Sequence, residues 1–440
     1  MSSTEFEFES ISFYSPIARD IIELRGACSI FEIYEDIRYP FITATMTVRD
    51  EAGFVSGVNI TGGETISVLL SSKKPGASPI AKRFYIKRIR MTAKSNDRAE
   101  SYVLDLIEDV LFESSLQTVN KMYNGKCNTI LEKIAQNFLD KEIYSEVQAE
   151  QVMKLIVPNL SPLEAMMWIK DRAATIDGYP FYLFSTLATS KLNFLDLGTM
   201  ISKQVQNLDV EYKYSSVPAQ SEYDDIQRRV LKGFEQTNTE DLYSLIRRGL
   251  IGAEYEFIDT VKNKRNIFHF DVFKELLDPM RQNVLSKEQQ NILYGPNYTY
   301  NDKPYNEIKN KRITRIASTS PFKTVDEEDL LAYREAATLG QYKFEVISRA
   351  MADFLVKSPI TIVANGIDFI DGNSHRTIGN NIRVQFPSSN TAVSRSDDQL
   401  DKRLTGDYLI HGAHHLFRPD DGSYDIKLTC VKLAHQSRTQ

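Results

Sequence analysis

The chain has 440 residues, 42% hydrophobic and 25% charged, with a net charge of −6, 22 Tyr, 23 Phe, one Trp and three Cys. That length allows two or more domains with real cores, and the composition is that of a folded chain, which excludes a peptide hormone, a disulfide knot and a disordered protein. Lys and Arg are dispersed under a net negative charge, which argues against a nucleic-acid partner, and the scattered Cys28, Cys127 and Cys430 argue against a zinc ribbon or a disulfide framework.

From the N-terminus, "MSSTEFEFES" is acidic and lacks the positive start and apolar core of a secretion signal. With no run of ~18 apolar residues to span a bilayer, synthesis and folding in cytoplasm are expected. Residues 1 to about 110 read as successive strands. "FITATMTVRD" sets Ile42, Ala44, Met46 and Val48 on one face and Thr43, Thr45 and Thr47 on the other. "CSIFEIYE", "ETISVLL", "RFYIKRIRM" and "SYVLDLIE" repeat the pattern between turn residues, as in an antiparallel barrel or sandwich. The aromatic content suits pleated sheets and subunit interfaces, which points to a β-rich assembly protein.

After Glu108 the period changes from two to about 3.6. "TILEKIAQNFLD" places Ile130, Leu131, Ile134, Phe138 and Leu139 on one stripe, and Thr129 with Glu132 predicts a capping box. "SPLEAMMWIKDRAA" predicts a second helix with Ser161 as N-cap, Pro162 at the first position and Glu164 as the cap's partner. Its Leu163, Met166, Met167 and Ala174 read as a core stripe rather than a ligand groove. "YPFYLFS" and "KLNFLDL" follow as a hairpin, so 111 to 198 is an α/β module.

Between 199 and 310 the pattern is mixed. "DLYSLIRRGLIGAEYEFID" predicts a helix breaking at Gly249 into a strand, and "NIFHFDVFKELL" a strand running into a helix. "YGPNYTYNDKPYN" reads as a loop. From about 311 strands return in "RITRIAST", then a helix near Tyr342–Leu355, then "PITIVANGIDF", "NNIRVQFP", "GDYLIHGAHHLF" and "YDIKLTCVKLA". The polar stretch 388–403 is a long loop, and the acidic "VDEED" a solvated one.

No GxxxxGK[ST], GxGxxG, GxSxG or HExxH occurs, so nucleotide, Rossmann, hydrolase and zincin chemistries lose their usual anchors. Adjacent acids such as Glu108-Asp109, Asp224-Asp225 and Asp420-Asp421 suit turns better than acid/base work. His269, His375 and His435 are isolated. The one cluster is "LIHGAHHLF", with His411, His414 and His415. A helix would set i and i+4 histidines on one zinc ion, but Gly412 and the flanking strand formers favour a strand. On a strand His411 and His415 share a face roughly 13 Å apart while His414 points away, so the three are at most weak metal candidates. Surface or interface histidines are the simpler reading, and near pH 6.5 they would tune an interface. No catalytic residue and no cofactor is assigned.

Four stretches carry a resemblance: "FEIYEDIRYPFITATMTVRDEAG" with "ITGGETISVLL"; "PNLSPLEAMMWIKDRAA" with "GYPFYLFS" and "LNFLDL"; "RRGLIGAEYEFIDTVKNK"; and "IGNNIRVQFP" with "LTGDYLIHGAHHLFRPDDGSYDIKLTCVKLA". In this order and spacing the chain resembles the central baseplate hub protein of contractile-tailed, T-even-like phages, whose fold recurs in the hub part of type VI secretion spike proteins. Pro162, Ala165, Trp168, Arg172 and Phe184 carry the most specific piece, and His414 or His415 matches a strand-end histidine.

The resemblance implies an α+β, mainly β fold: two antiparallel β-barrel domains, 1–110 and 311–440, with the inserted α/β module 111–198 and a mixed connecting module 199–310. It also implies a structural virion protein, not an enzyme: a homotrimeric hub ring that joins the hexameric tail tube to the trimeric central spike. The implied partners are the spike, the tube protein or its initiator and other baseplate proteins, with no sequence-specific nucleic acid and no membrane span. The place implied is the virion baseplate, assembled in host cytoplasm. Rival readings are a glycan- or receptor-binding tail module using Tyr298 and Tyr300, and a metal hydrolase built on His411, His414 and His415.

Overall fold

A computed structural model describes residues 5–432 apart from 18, 52, 54–56, 59, 95–99, 151, 207–210, 215–228, 238–241, 260–263, 271–298, 305–310, 318–338, 357–358, 389–399 and 402–403. Tyr298, the acidic run 325–329, the helix expected after Phe270 and most of the 388–403 loop lie outside the described residues.

Seven strands open the chain: β1 (Phe6–Ser15), β2 (Asp20–Glu23), β3 (Cys28–Asp36), β4 (Thr43–Asp50), β5 (Thr65–Ser72), β6 (Ile80–Lys94) and β7 (Glu100–Glu108). They pair antiparallel in the order β3-β4-β7-β6-β5-β1-β2. The period of two in the sequence becomes a period of two in burial: Ala44, Met46 and Val48 enter the core, while Thr43, Thr45 and Thr47 stay part-exposed.

The α/β module follows: α1 (Asp109–Ser115), β8 (Met122–Lys126), α2 (Cys127–Ile134) with a π turn at Ala135–Leu139, β9 (Ile143–Tyr144), β10 (Val152–Ile156), α3 (Pro162–Lys170), β11 (Phe181–Phe184), β12 (Leu192–Asp196) and α4 (Leu197–Ser202). Ile130, Leu131, Ile134, Met166, Leu183 and Phe194 pack as its core. α3 begins as predicted, with the Ser161 N–H donating to Glu164 3.1 Å away. The Thr129–Glu132 box is not formed. β8 runs straight into α2 at Cys127, so Lys126 is the N-cap and Thr129 already lies in the first turn.

The remainder holds β13 (Tyr212–Tyr214), β14 (Val230–Leu231), β15 (Gly233–Gln236), α5 (Leu242–Arg248), β16 (Ala253–Asp259), β17 (Lys264–Phe270), β18 (Thr299–Tyr300), β19 (Lys303–Pro304), β20 (Lys311–Ala317), α6 (Leu339–Leu355), β21 (Ile360–Asn365), β22 (Asn381–Gln385), β23 (Gly406–Arg418) and β24 (Ser423–Val431). Gly249 ends α5 with a φ of 78°, as its position between helix and strand predicts. β20 does not join the last strands; it pairs in parallel with β16, on the edge opposite β17, in a separate three-stranded sheet. Conversely β13 and β15, from the stretch read as a connecting module, pair with β22 and β21.

β23 fixes the architecture. Thirteen residues long, it pairs with β24 over Leu409–Arg418 on one edge. On its other edge it takes β22 at Gly406–Leu409 and β3 at Gly412–Phe417. The strands of both expected barrels therefore merge into one 14-stranded sheet, with no closed barrel among the described residues, because a single strand serves both halves. The mainly β character holds. One core cluster lies under β1–β7 and a second under β21–β24 with α6.

Candidate functional site

β23 and β24 meet at a tight turn through Asp421 and Gly422. Gly422 adopts a φ of 70°, its N–H donates to the Arg418 carbonyl at 2.9 Å, and Asp421 accepts from the Ser423 N–H at 2.8 Å. This fixes the register that places the histidines. His411 and His415 face inward and His414 outward, as strand alternation requires.

The three imidazoles enter three environments. His414 stacks on Tyr34 with ring centroids 4.4 Å apart and donates through Nε2 to Glu32 at 3.0 Å. His411 is buried, with Nδ1 4.0 Å from Asp36 and Nε2 without a hydrogen-bond partner among the described residues; burial pulls its pKa down to about 4. His415 is fully buried between Glu35 of β3 and Tyr424 of β24. A carboxylate only accepts, so Nε2 donates to Glu35 at 3.0 Å and Nδ1 accepts from the Tyr424 hydroxyl at 2.7 Å. The strand pairing thus does not bring the three together, and among the described residues no group of three His, Cys, Asp or Glu is placed to hold a metal ion.

Glu35 is the hub of this network. Its other oxygen accepts from the Leu187 N–H at 2.5 Å, which ties the β11–β12 hairpin to β3. Burial pushes its carboxyl up, but the hydrogen bond from His415, with help from the nearby His375 and Thr377, outweighs burial and holds it below the usual carboxylate range. His375 is lowered by burial, and its Nε2 lies 2.5 Å from the Ile378 carbonyl. A second buried junction stands beside it: Glu108, at the end of β7, pairs with Lys82 at 2.9 Å and accepts from Ile42 N at 2.9 Å and the Ser185 hydroxyl at 3.1 Å.

A carboxylate–histidine–hydroxyl line has the parts of a proton relay, but Glu35, His415 and Tyr424 are at most 3% exposed and offer no approach to a substrate. What the line does is bind three chain segments into one core. Sequence reading missed Glu35, His375 and Glu108 as partners, since the contacts of Glu35 with His415 and Leu187 and those of Glu108 with Ile42 and Ser185 each span more than 60 residues of chain; the only signal was an acid on an otherwise inward-facing strand position. On α3 the motif residue Ala165 is buried, and just past the helix the Arg172 guanidinium sits 3.8 Å over the Trp168 ring.

The long, mainly β fold, with buried polar groups that knit its segments together, is similar to that of a tail protein. The tail protein from Neisseria meningitidis MC58 is similar over 97% of this chain and 97% of its own, with a TM-score of 0.51 and 10% identity. The 43 kDa tail protein of prophage MuSo2 from Shewanella oneidensis matches over 98% and 100%, with a TM-score of 0.49 and 8% identity. The E. coli protein c3393, a component of the type VI secretion system described as similar to T4 bacteriophage tail proteins gp27 and gp5, matches over 99% of this chain and 79% of its own, with a TM-score of 0.42 and 10% identity. No protein-family model matches the chain, and no curated protein matches it by sequence. The resemblance read in the sequence thus holds at the level of the fold.

Proposed function

We propose that the chain is a structural virion protein of the tail baseplate: a homotrimeric hub ring that joins the hexameric tail tube to the trimeric central spike and carries no enzymatic activity. The observation that carries this reading is the end-to-end likeness, 97% of each chain, to a tail protein fold. Two β halves per chain, each grown from one end of β23, supply six β units from three copies, which is how a threefold object meets a sixfold one. Closing the ring covers strand edges that would otherwise recruit further copies without limit. In this reading each half is a barrel-like unit completed by its neighbours, and the spike, the tube protein or its initiator and other baseplate proteins dock on the ring's two faces.

Light scattering behind size exclusion tests it. A mass three times the 50.3 kDa of the chain, alone or with the spike protein of the same genome, is expected. A monomer that associates with neither spike nor tube protein overturns it.

A further inference from the structure

The outward face of β4, β3, β23 and β24 carries a groove of about 460 Å³. Thr43, Tyr34, His414 and Lys427 form one row across these four strands, since Tyr34 pairs with Thr43 and His414 with both Tyr34 and Lys427. One step along, Gly412 stands between Asp36 and Thr429, and its missing side chain makes the floor of the depression. A Cβ there would sit 3.5 Å from the Glu35 carbonyl, so nothing in the packing demands glycine, while the space above it is what glycine leaves open. Tyr39 and Phe41, on the β3–β4 connection, close one end.

The charges in this groove are not equivalent. The Asp36 carboxylate is taken by Arg38, with Nε at 2.9 Å and Nη2 at 2.5 Å. Glu32 beneath accepts from His414 at 3.0 Å and from the Thr45 hydroxyl at 2.7 Å. Lys427 is exposed and has no ion-pair partner among the described residues. The groove therefore offers one uncommitted cation, hydroxyls at Thr43 and Thr429, the ring of Tyr39, 49% exposed, and that of Tyr34, 37% exposed with one face stacked on His414. Strands are about 4.8 Å apart, so Lys427 stands roughly 10 Å from Tyr34, the span of one sugar ring with a charged substituent.

We propose that this groove binds a pyranose bearing a carboxylate, of the uronic or sialic acid class, with the ring against the tyrosines and the carboxylate on Lys427. Aromatic rings take the C–H face of a sugar, hydroxyls answer its hydroxyls, and the unpaired ammonium selects the acidic sugar over a neutral one. The site goes beyond the hub reading and does not depend on the trimer.

Saturation-transfer NMR on the full-length protein tests it, with methyl β-glucuronide and methyl α-sialoside as probes, and methyl β-glucoside and acetate as controls. Transfer from at least one acidic glycoside at millimolar concentration is expected, with at least fivefold weaker binding of the glucoside and no displacement by equimolar acetate. Lys427→Met is expected to weaken binding about tenfold and Tyr39→Ala at least fivefold, with the melting temperature of each variant unchanged. No transfer from either acidic glycoside, equal binding of the glucoside, displacement by acetate, or full binding by Lys427→Met in a folded variant overturns the proposal.

Discussion

His415 and Glu35 meet across 380 positions of chain in a site neither shares with water, and the energetics of such a pair are asymmetric. Formed and hydrogen-bonded at every atom, it roughly offsets its own desolvation; with one partner removed it leaves a buried charge alone. His415→Leu is therefore expected to cost about 3–5 kcal/mol, since both the Glu35 carboxylate and the Tyr424 hydroxyl lose their partner. Glu35→Gln in the same chain should recover part of that loss. Guanidinium denaturation of the two single variants and the double variant measures the coupling, and a single-variant loss below about 1 kcal/mol would show that the pair is not what holds these strands. His411 makes the opposite case. Its folded pKa, near 4, lies below the ordinary 6.5, so the unfolded chain takes up the proton first as pH falls. Its contribution is present above pH 6.5 and is lost between 6.5 and about 4, on the order of 3 kcal/mol for a group this buried. His375 and His414, also lowered, act in the same direction, while Glu35 adds its loss only below the ordinary carboxylate value of 4.5. The melting temperature should fall from pH 6.5 to pH 4 and fall less steeply in His411→Leu; parallel curves for the two proteins would remove His411 from the account.

Between elements, a tight backbone-to-backbone seam joins the β5–β6 turn to the turn after Phe369. Gly372 donates its N–H to the Ser78 carbonyl at 3.0 Å, and a Cβ at Gly372 would lie 2.4 Å from the Pro79 carbonyl oxygen. Backbone yields less readily than a side chain, so Gly372→Ala should destabilise by about 1–3 kcal/mol, whereas Gly76→Ala, with open space but a φ of 83°, tests conformational strain alone. Equal stability of Gly372→Ala and the parent in urea would show that the seam opens freely. Neither seam nor network is visible in the sequence, and the reason is physical. The strands of the first half were legible because pleat alternation is local, so "TATMTV" shows its two faces without knowing its neighbours. The α3 start was legible because Ser161, Pro162 and Glu164 act within one turn. The α2 start was misread because a capping pair also fits inside a helix when the preceding strand supplies the entry. The assignment of β20 to the last sheet failed for another reason: a strand's pattern states its faces and not its partner. For the histidines, alternation gave the correct faces, but the identity of what each would meet is set by cross-strand register between β3 and β23. The uncommitted Lys427 likewise emerges only once Asp36 and Glu32 are seen to be occupied.

For the whole molecule, β23 decides how the chain unfolds. The core beneath β1–β7 is completed by Phe417 of β23 and Tyr424 of β24, with Phe6 packed 5.0 Å from Phe417 and Phe8 5.5 Å from it. Glu5 reaches the same corner from the chain's other end: its N–H donates to the Gly422 carbonyl at 3.1 Å, and its carboxylate accepts from Tyr424 N at 2.9 Å and from Asn365. A fragment of residues 1–110 lacks β23, exposes the edge of β3 and loses two fully buried aromatic rings from its core. Each ring is worth about 3 kcal/mol or more, which is a large share of the 5–15 kcal/mol that stabilises a domain. The fragment is therefore expected to be aggregated or without a cooperative melt, and the intact chain to lose the two β halves in one calorimetric transition, since neither keeps its edge strand when the other unfolds. A sharp, reversible melt of the fragment, or two transitions in the intact chain whose separation survives Phe417→Ala, would mean that the halves are autonomous. In that case β23 would be a linker that happens to pair on both sides, and a rigid ring would have to draw its stiffness from contacts between subunits rather than from within each one.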